Sequence, residues 1–253
     1  MNKVLISWAG NEELESFSPY CATVNRIFSF LNIDFSLKTV HVNSQIQGVP
    51  AKMSSLPAII DGDRKILGIR NCINYFKDLR GESDLFLLTN EEQMQAQLLQ
   101  DWCISSLWAS VVYFSYKDIN GLNAMKKKYA KLAKYVQDID ESPEEIISSF
   151  KEAIINGISE YEIFHKDQAS ALDYFELQII HIDEILGAKN FIFGNEIKYI
   201  DILLYTHLNR ILITGLTTSD LIKQKYHRIV RWLHRVAAQT RSKNNVYPTH
   251  LES

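Results

Sequence analysis

Cysteine is scarce in this chain: three residues, Cys21, Cys72 and Cys103, among 253. An odd, widely spaced set has no metal-ligand spacing and no disulfide framework, so no metal is expected and each thiol reads first as a small buried apolar side chain in a reducing compartment. An excess of one charge is lacking too. The 27 Lys and Arg against 30 Asp and Glu leave a formal net charge of −3, which gives no general attraction to phosphate backbones or anionic lipid. The run Lys126, Lys127, Lys128 and the stripe Lys223, Lys225, Arg228, Arg231, Arg235 read as solvated faces, and they are the only patches suited to an acidic partner. Long apolar runs are missing as well: residues 4–8 are too few for a signal peptide, and nothing later approaches a membrane-spanning length. A cytoplasmic protein without nucleic acid or a membrane span is the expectation.

What is present is enough apolar residue for a core, 46%, and a pattern that changes character near residue 80. Before it, short apolar segments of strand length at residues 4–8, 35–42, 58–60 and 65–69 alternate with helical stretches, in the order βαβ, linker, ββα. Ser18 as N-cap and Pro19 in the first helical position open a helix with the stripe Val24, Ile27, Phe28 and Leu31. A second helix is expected from about residue 71 to 79. After a charged linker at residues 80–90 everything reads as helix. Met94, Leu98, Trp102, Ser105 and Ala109 recur at helical spacing from Glu91 onward. A lysine-rich helix spans residues 125–136, a loop 138–143, and a helix surrounds Ile146, Phe150 and Ile154. From Ala169 a helix runs to Gly187, its C-terminal cap, and the most apolar helix carries Ile200, Leu203, Leu204, His207, Leu208 and Ile211. The last helix has Ile229, Trp232, Leu233 and Val236 on one face and arginines on the other.

The segment Ser18-Pro19-Tyr20-Cys21 reads as a dithiol motif, C-P-Y-C, whose leading cysteine is a serine. A thiolate there would attack disulfides, whereas a hydroxyl donates a hydrogen bond to another thiolate or caps the helix. Disulfide reduction is therefore disfavoured. Cys21 corresponds to the second cysteine of such a pair and lacks its partner.

A unit of about 80 residues with this order, followed by an all-helical region, resembles the cytosolic glutathione transferase superfamily. Three motifs carry the resemblance: S-P-Y-C at residues 18–21; Leu56-Pro57-Ala58-Ile59, similar to the family's V-P-A-L with its cis-proline; and the stretch from Phe191 to Asp201, similar to F-L-x-G-D-x-x-[TS]-x-x-D. Within it, the closest pattern is the metaxin and failed-axon-connections-like branch, on S-P-[FY]-C, Asn156-Gly157-Ile158-Ser159 and the stretch from Leu186 to Gly194. The resemblance implies an α/β thioredoxin-like N-terminal domain (residues 1–80), an all-α C-terminal domain (residues 91–243), a tail at residues 244–253, glutathione as cosubstrate, a role in detoxification and a homodimer.

It also implies site residues. Ser18 would stabilise the glutathione thiolate, with a plain N-cap as the bland alternative. The backbone of Leu56 before Pro57 would pair with glutathione's cysteinyl group. Where the family places E-S or D-S ahead of the second helix, this chain has Ile69-Arg70, and an arginine there would grip the glutamyl carboxylate bidentately or stand solvated. Tyr20 would offer a second hydroxyl or pack under the loop; Lys38 or Lys52 would meet the glycyl carboxylate. Trp102, Trp108, Tyr113 and Tyr116 would line the second-substrate cleft or build core, and His207 reads as a hydrogen-bonded core histidine. Lys198 stands where the family places a Thr or Ser cap, with Asp201 kept, a loss of about 1 kcal/mol. Two functions follow: a glutathione-dependent enzyme attacking a small apolar electrophile, favoured by S-P-Y-C and L-P-A-I, or a non-catalytic metaxin-like binding or assembly module, favoured by the change at Ile69-Arg70.

Overall fold

The computed structural model describes residues 3–10, 15–40, 45–50, 52, 55–132, 145, 148, 151–152, 155, 157–212 and 217–241. Strand β1 (Lys3–Trp8) leads into helix α1 (Pro19–Phe30) and back to β2 (Phe35–Val40), parallel to β1. A two-residue hairpin, β3 (Gln45–Ile46) and β4 (Val49–Pro50), precedes β5 (Ala58–Asp61) and β6 (Arg64–Leu67). The sheet order is β2-β1-β5-β6, with β5 antiparallel to both neighbours. Alternation along β1 sends Leu5 into the main core and Ile6 and Trp8 into a smaller cluster with Cys21, Leu56 and Ala58. Helix α2 (Ile69–Arg80) closes this mixed-sheet unit. The strand expected to reach residue 69 stops at Leu67, because Gly68 takes φ 80° and turns the chain straight into α2. Arg70 therefore lies inside the first turn of α2.

Thr89 starts α3 (Asn90–Trp102) with a reciprocal capping box to Glu92. The helix continues through a π turn (Cys103–Leu107), α4 (Trp108–Val112) and a second π turn (Tyr113–Lys117) before α5 (Ile119–Leu132). Its apolar stripe is not where the spacing put it. Met94 and Leu98 are 64% and 70% exposed, while Ala96, Gln100, Cys103 and Leu107 face inward. The expected helix at residues 125–136 starts earlier, at Ile119; the loop at residues 138–143 and Ile146, Phe150 and Ile154 lie outside the described residues.

A 3-10 turn (Glu162–His165) is followed by α6 (Gln168–Leu186), capped by Asp167 at its start and by Gly187, at φ 52°, at its end. Helix α7 (Tyr199–Leu212) is buried on every side, as an apolar helix at the centre of the fold must be, with α8 (Thr217–Lys225) and α9 (His227–Gln239) against it. Asp201 organises this end of the molecule: its carboxylate accepts from the Ile192 and Lys198 amides, each at 2.9 Å, and from Trp232 Nε1 at 2.8 Å. Lys198, without a capping hydroxyl, donates instead from Nζ to the Asp84 carbonyl at 2.7 Å, fastening α7 to the linker. The basic stripe over α8 and α9 is largely engaged at home. Arg228 meets Asp183, Lys225 meets Glu176 and Arg235 donates to the Asn190 carbonyl.

Candidate functional site

Ser18 sits where the loop after β1 turns into α1, with extended backbone (φ −96°, ψ 119°), and its Oγ accepts from the Cys21 amide at 3.4 Å. That bond uses a lone pair and leaves the hydroxyl proton available to donate. The loop is held from three sides. Ser16 Oγ accepts from the Ser18 amide at 3.2 Å and donates to the Trp8 carbonyl at 2.8 Å, and Phe17 bonds back to Ala9. The buried Arg210 of α7 donates from Nε to the Phe17 carbonyl at 3.2 Å. The result is a rigid seat at the positive end of a 12-residue helix, with Ser18 only 5% exposed.

Cys21, one turn on, is fully buried. Burial pushes its thiol up, partly offset by the Trp8 backbone and by the Ser7, Ser18 and Ser16 hydroxyls. Cys72 and Cys103 are buried too, each raised by the same cause. None of the three is an activated nucleophile.

The Leu56–Pro57 peptide is cis, and the Pro57 carbonyl accepts from the Gly68 amide at 2.8 Å, which ties this turn to the start of α2. The Leu56 amide donates to the Lys52 carbonyl at 3.1 Å. Arg70 pairs with Asp101 of α3, both groups about half exposed, and Gln97 donates to the same carboxylate at 3.0 Å. Arg70 holds the Asp101 carboxyl below the usual range. This pair bridges the mixed-sheet unit and the helical region across solvent, a cation and an anion side by side.

Tyr20 turns away from the loop. Its hydroxyl donates to the Ile104 carbonyl at 3.0 Å, and its ring packs on Trp108 and His207 at 5.1 and 5.0 Å. The bond falls within the π turn, where the Trp108 N–H reaches back to the Cys103 and Ser105 carbonyls. Trp108, Tyr113 and Tyr116 are buried, with Tyr113 edge-on to Phe114 and Phe164; Trp102 is partly buried. Lys38 is exposed on β2, as is Lys52 before the proline turn. His207 donates from Nδ1 to the Leu203 carbonyl at 2.7 Å, and burial lowers it to about 4, so the ring is neutral. Among the described residues no cluster of His, Cys, Asp or Glu is arranged for a metal ion.

The family model described as "Glutathione S-transferase, C-terminal domain" matches residues 176–236, from the middle of α6 to α9. The isoprene-epoxide glutathione S-transferase of Rhodococcus sp. (strain AD45) is 25% identical over 202 residues, 78% of this chain and 82% of that protein. A glutathione S-transferase from Sinorhizobium meliloti superposes over 100% of both chains with a TM-score of 0.62 at 12% identity. Human glutathione S-transferase T1-1 in its apo form gives 0.57 at 17% identity, over 94% of this chain and 84% of that one. The chain has the fold of the glutathione S-transferase superfamily. Its architecture is that of the superfamily, a small mixed sheet followed by a helical domain. Among the described residues no helix is long and apolar enough to cross a membrane.

Two features of the site were not visible in the sequence. One is Asp101 opposite Arg70, a residue distant in the chain that only the fold brings near. The other is Arg210 behind Phe17, contributed by the central helix. Asp101 follows Gln97 by one helical turn and Arg210 is a charge in an apolar helix, signals too weak to read without the fold.

Proposed function

We propose that the protein is a glutathione transferase in which Ser18 stabilises the glutathione thiolate for attack on a small apolar electrophile. The observation that carries this reading is the seat of Ser18: an N-cap hydroxyl that accepts from Cys21 and keeps its own proton for a ligand sulfur at a helix N-terminus. Glutathione loses its thiol proton to solvent, the sulfur bonds to the electrophilic carbon, and the leaving atom departs with the electron pair of the broken bond. An epoxide is the electrophile class that suits the Rhodococcus relative's name; its opened oxygen takes a proton from water. The exposed Arg70–Asp101 pair is the counterpart of the zwitterionic glutamyl end, guanidinium to carboxylate and carboxylate to ammonium. Leu56, beside Pro57, offers its backbone to the cysteinyl group after the turn at Lys52 releases its amide. The apolar substrate lies against Trp102 and Trp108, with Tyr113 and Tyr116 behind them. Tyr20 fastens the α1 seat to the helical wall, and Lys38 serves the glycyl end.

A homodimer belongs to the same reading. Met94 and Leu98 stand one turn apart on α3 and are widely exposed, with Leu87 before them at 51%, an apolar strip that a second copy would cover.

One observation favours a binding or assembly module without turnover: the Leu56 amide and Arg70 are both engaged within the chain. Calorimetric titration with glutathione decides between the two. The enzyme reading predicts saturable binding at millimolar glutathione or below, weakened about tenfold in Arg70→Ala by loss of one charge-assisted pair. Absence of heat in the wild type selects the module.

A further inference from the structure

The peptide unit between Phe17 and Ser18 is gripped at both ends. Its carbonyl oxygen accepts from Arg210 Nε at 3.2 Å, and its N–H donates to Ser16 Oγ at 3.2 Å. One residue earlier the Phe17 N–H is tied to the Ala9 carbonyl at 3.0 Å. The plane of this unit fixes ψ of Phe17 and φ of Ser18, and with them the direction in which the Ser18 side chain leaves the backbone. A tilt of about 10–20° is enough to carry a hydroxyl off the line to a ligand atom, and hydrogen bonds weaken steeply off that line.

The grip from Arg210 comes at a cost in stability. Arg210 is 2% exposed on the central helix α7, and its Nη1 donates to Met125 Sδ at 2.9 Å, a weak acceptor. Among the described residues no carboxylate pairs with it; Glu15, the nearest acid in the loop's sequence, is taken by Arg26, whose Nε donates to Glu15 Oε2 at 3.0 Å. A buried guanidinium without a carboxylate is less stabilising than an apolar side chain of the same length. Such a concession directly behind the loop that carries Ser18 points to function, because local rules of good packing are broken chiefly at functional sites.

We propose, on the reading that Ser18 meets the glutathione sulfur, that Arg210 is a positioning residue whose Nε–H holds the Phe17–Ser18 peptide so that the Ser18 hydroxyl is aimed at that sulfur. Two substitutions of matched length separate the bond from the bulk. In Arg210→Gln the amide Nε2 falls where Nε stood and donates to the same carbonyl, whereas in Arg210→Met a methyl group falls there and cannot. Both remove the same buried charge. The pKa of the bound glutathione thiol, read from thiolate absorbance against pH, rises by about one unit in Arg210→Met, a tenfold loss of thiolate below it, and stays within about half a unit of wild type in Arg210→Gln. Affinity for S-methylglutathione, which has no thiol to ionise, stays within about twofold of wild type in both. In a Ser18→Ala background Arg210→Met adds nothing, since no hydroxyl is left to aim.

The proposal is overturned if Arg210→Met ionises like wild type, if Arg210→Gln shifts the thiol as far as Arg210→Met, if the affinity for S-methylglutathione falls along with the shift, or if Arg210→Met shifts the thiol equally with and without Ser18. Should Arg210→Met not fold, Arg210→Gln decides alone, and a shift of about one unit in it overturns the proposal. Ser18→Ala by itself reads the Ser18 assignment. If it leaves the thiol unchanged, that assignment fails and the role of Arg210 with it; a shift in Ser18→Ala with none in Arg210→Met removes the role of Arg210 alone.

Discussion

Ser18 and His207 show how much one side chain's surroundings decide. Ser18 was legible in the sequence because its meaning is local: a serine before a proline caps a helix, and the structure has that cap. Arg70 was legible only by half, since its position follows from α2 but its partner Asp101 comes from packing 31 residues away. His207 illustrates the energetic side. Its ring is fully buried between Tyr20 and Trp108, with Nε2 unbonded among the described residues, and its folded value of about 4 lies below the unfolded 6.5. Above pH 6.5 both states are neutral and stability is intact. As pH falls from 6.5 towards 4 the unfolded chain takes up a proton that the folded one refuses, and stability is lost, by about 3 kcal/mol at the lower end. Asp201 acts in the opposite direction over part of this window, because burial raises it to about 6. The comparison is therefore with His207→Gln: urea unfolding at pH 7 and pH 4.5 will show the wild type losing more stability than the variant, and parallel losses would rule out a buried neutral imidazole.

Among the elements, those specified by their own ends were readable and those specified by neighbours were not. Helix α6 was readable from Gly187 at its end, and Asp167 caps its start one residue ahead of the expected Ala169. The long helix from Asn90 misled, because Met94 and Leu98 keep helical spacing while pointing outward; periodicity gives a face but not the side on which the core lies. Its two π turns were invisible for a related reason. The first of them is bonded from another element, Tyr20 donating to the Ile104 carbonyl within it. The join from the second π turn to α5 depends on Gly121. A Cβ there would sit 1.7 Å from the Phe114 carbonyl oxygen, a backbone atom with no room to yield. Gly121→Ala will destabilise the protein by about 3 kcal/mol or more in urea unfolding. A change within about 0.5 kcal/mol would mean the two helices do not approach so closely.

For the molecule as a whole, the sheet unit and the helical region share one core. Leu5, Ile59 and Phe76 belong to the same buried cluster as Leu107, Leu203 and Trp232. Polar ties reinforce it: Thr23 to Thr206 at 2.7 Å and Arg26 to Thr240 at 2.8 Å both join α1 to the helical region. The architecture was readable from the switch in pattern near residue 80, whereas the exposure of the Met94 and Leu98 strip was not, since an exposed apolar strip and a buried one have the same sequence. Light scattering on eluted protein tests that strip. Wild type will run as a dimer and the double variant Met94→Glu, Leu98→Glu as a folded monomer; a monomeric wild type, or a variant that remains dimeric, would place the contact elsewhere or remove it. The central claim concerns Ser18, and the thiolate absorbance of bound glutathione, followed as a function of pH, tests it most directly. The account predicts that the bound thiol ionises below free glutathione and that Ser18→Ala raises its pKa by about one to two units, the worth of one hydrogen bond to a charged sulfur. A bound thiol that ionises at the same pH in wild type and Ser18→Ala would contradict it.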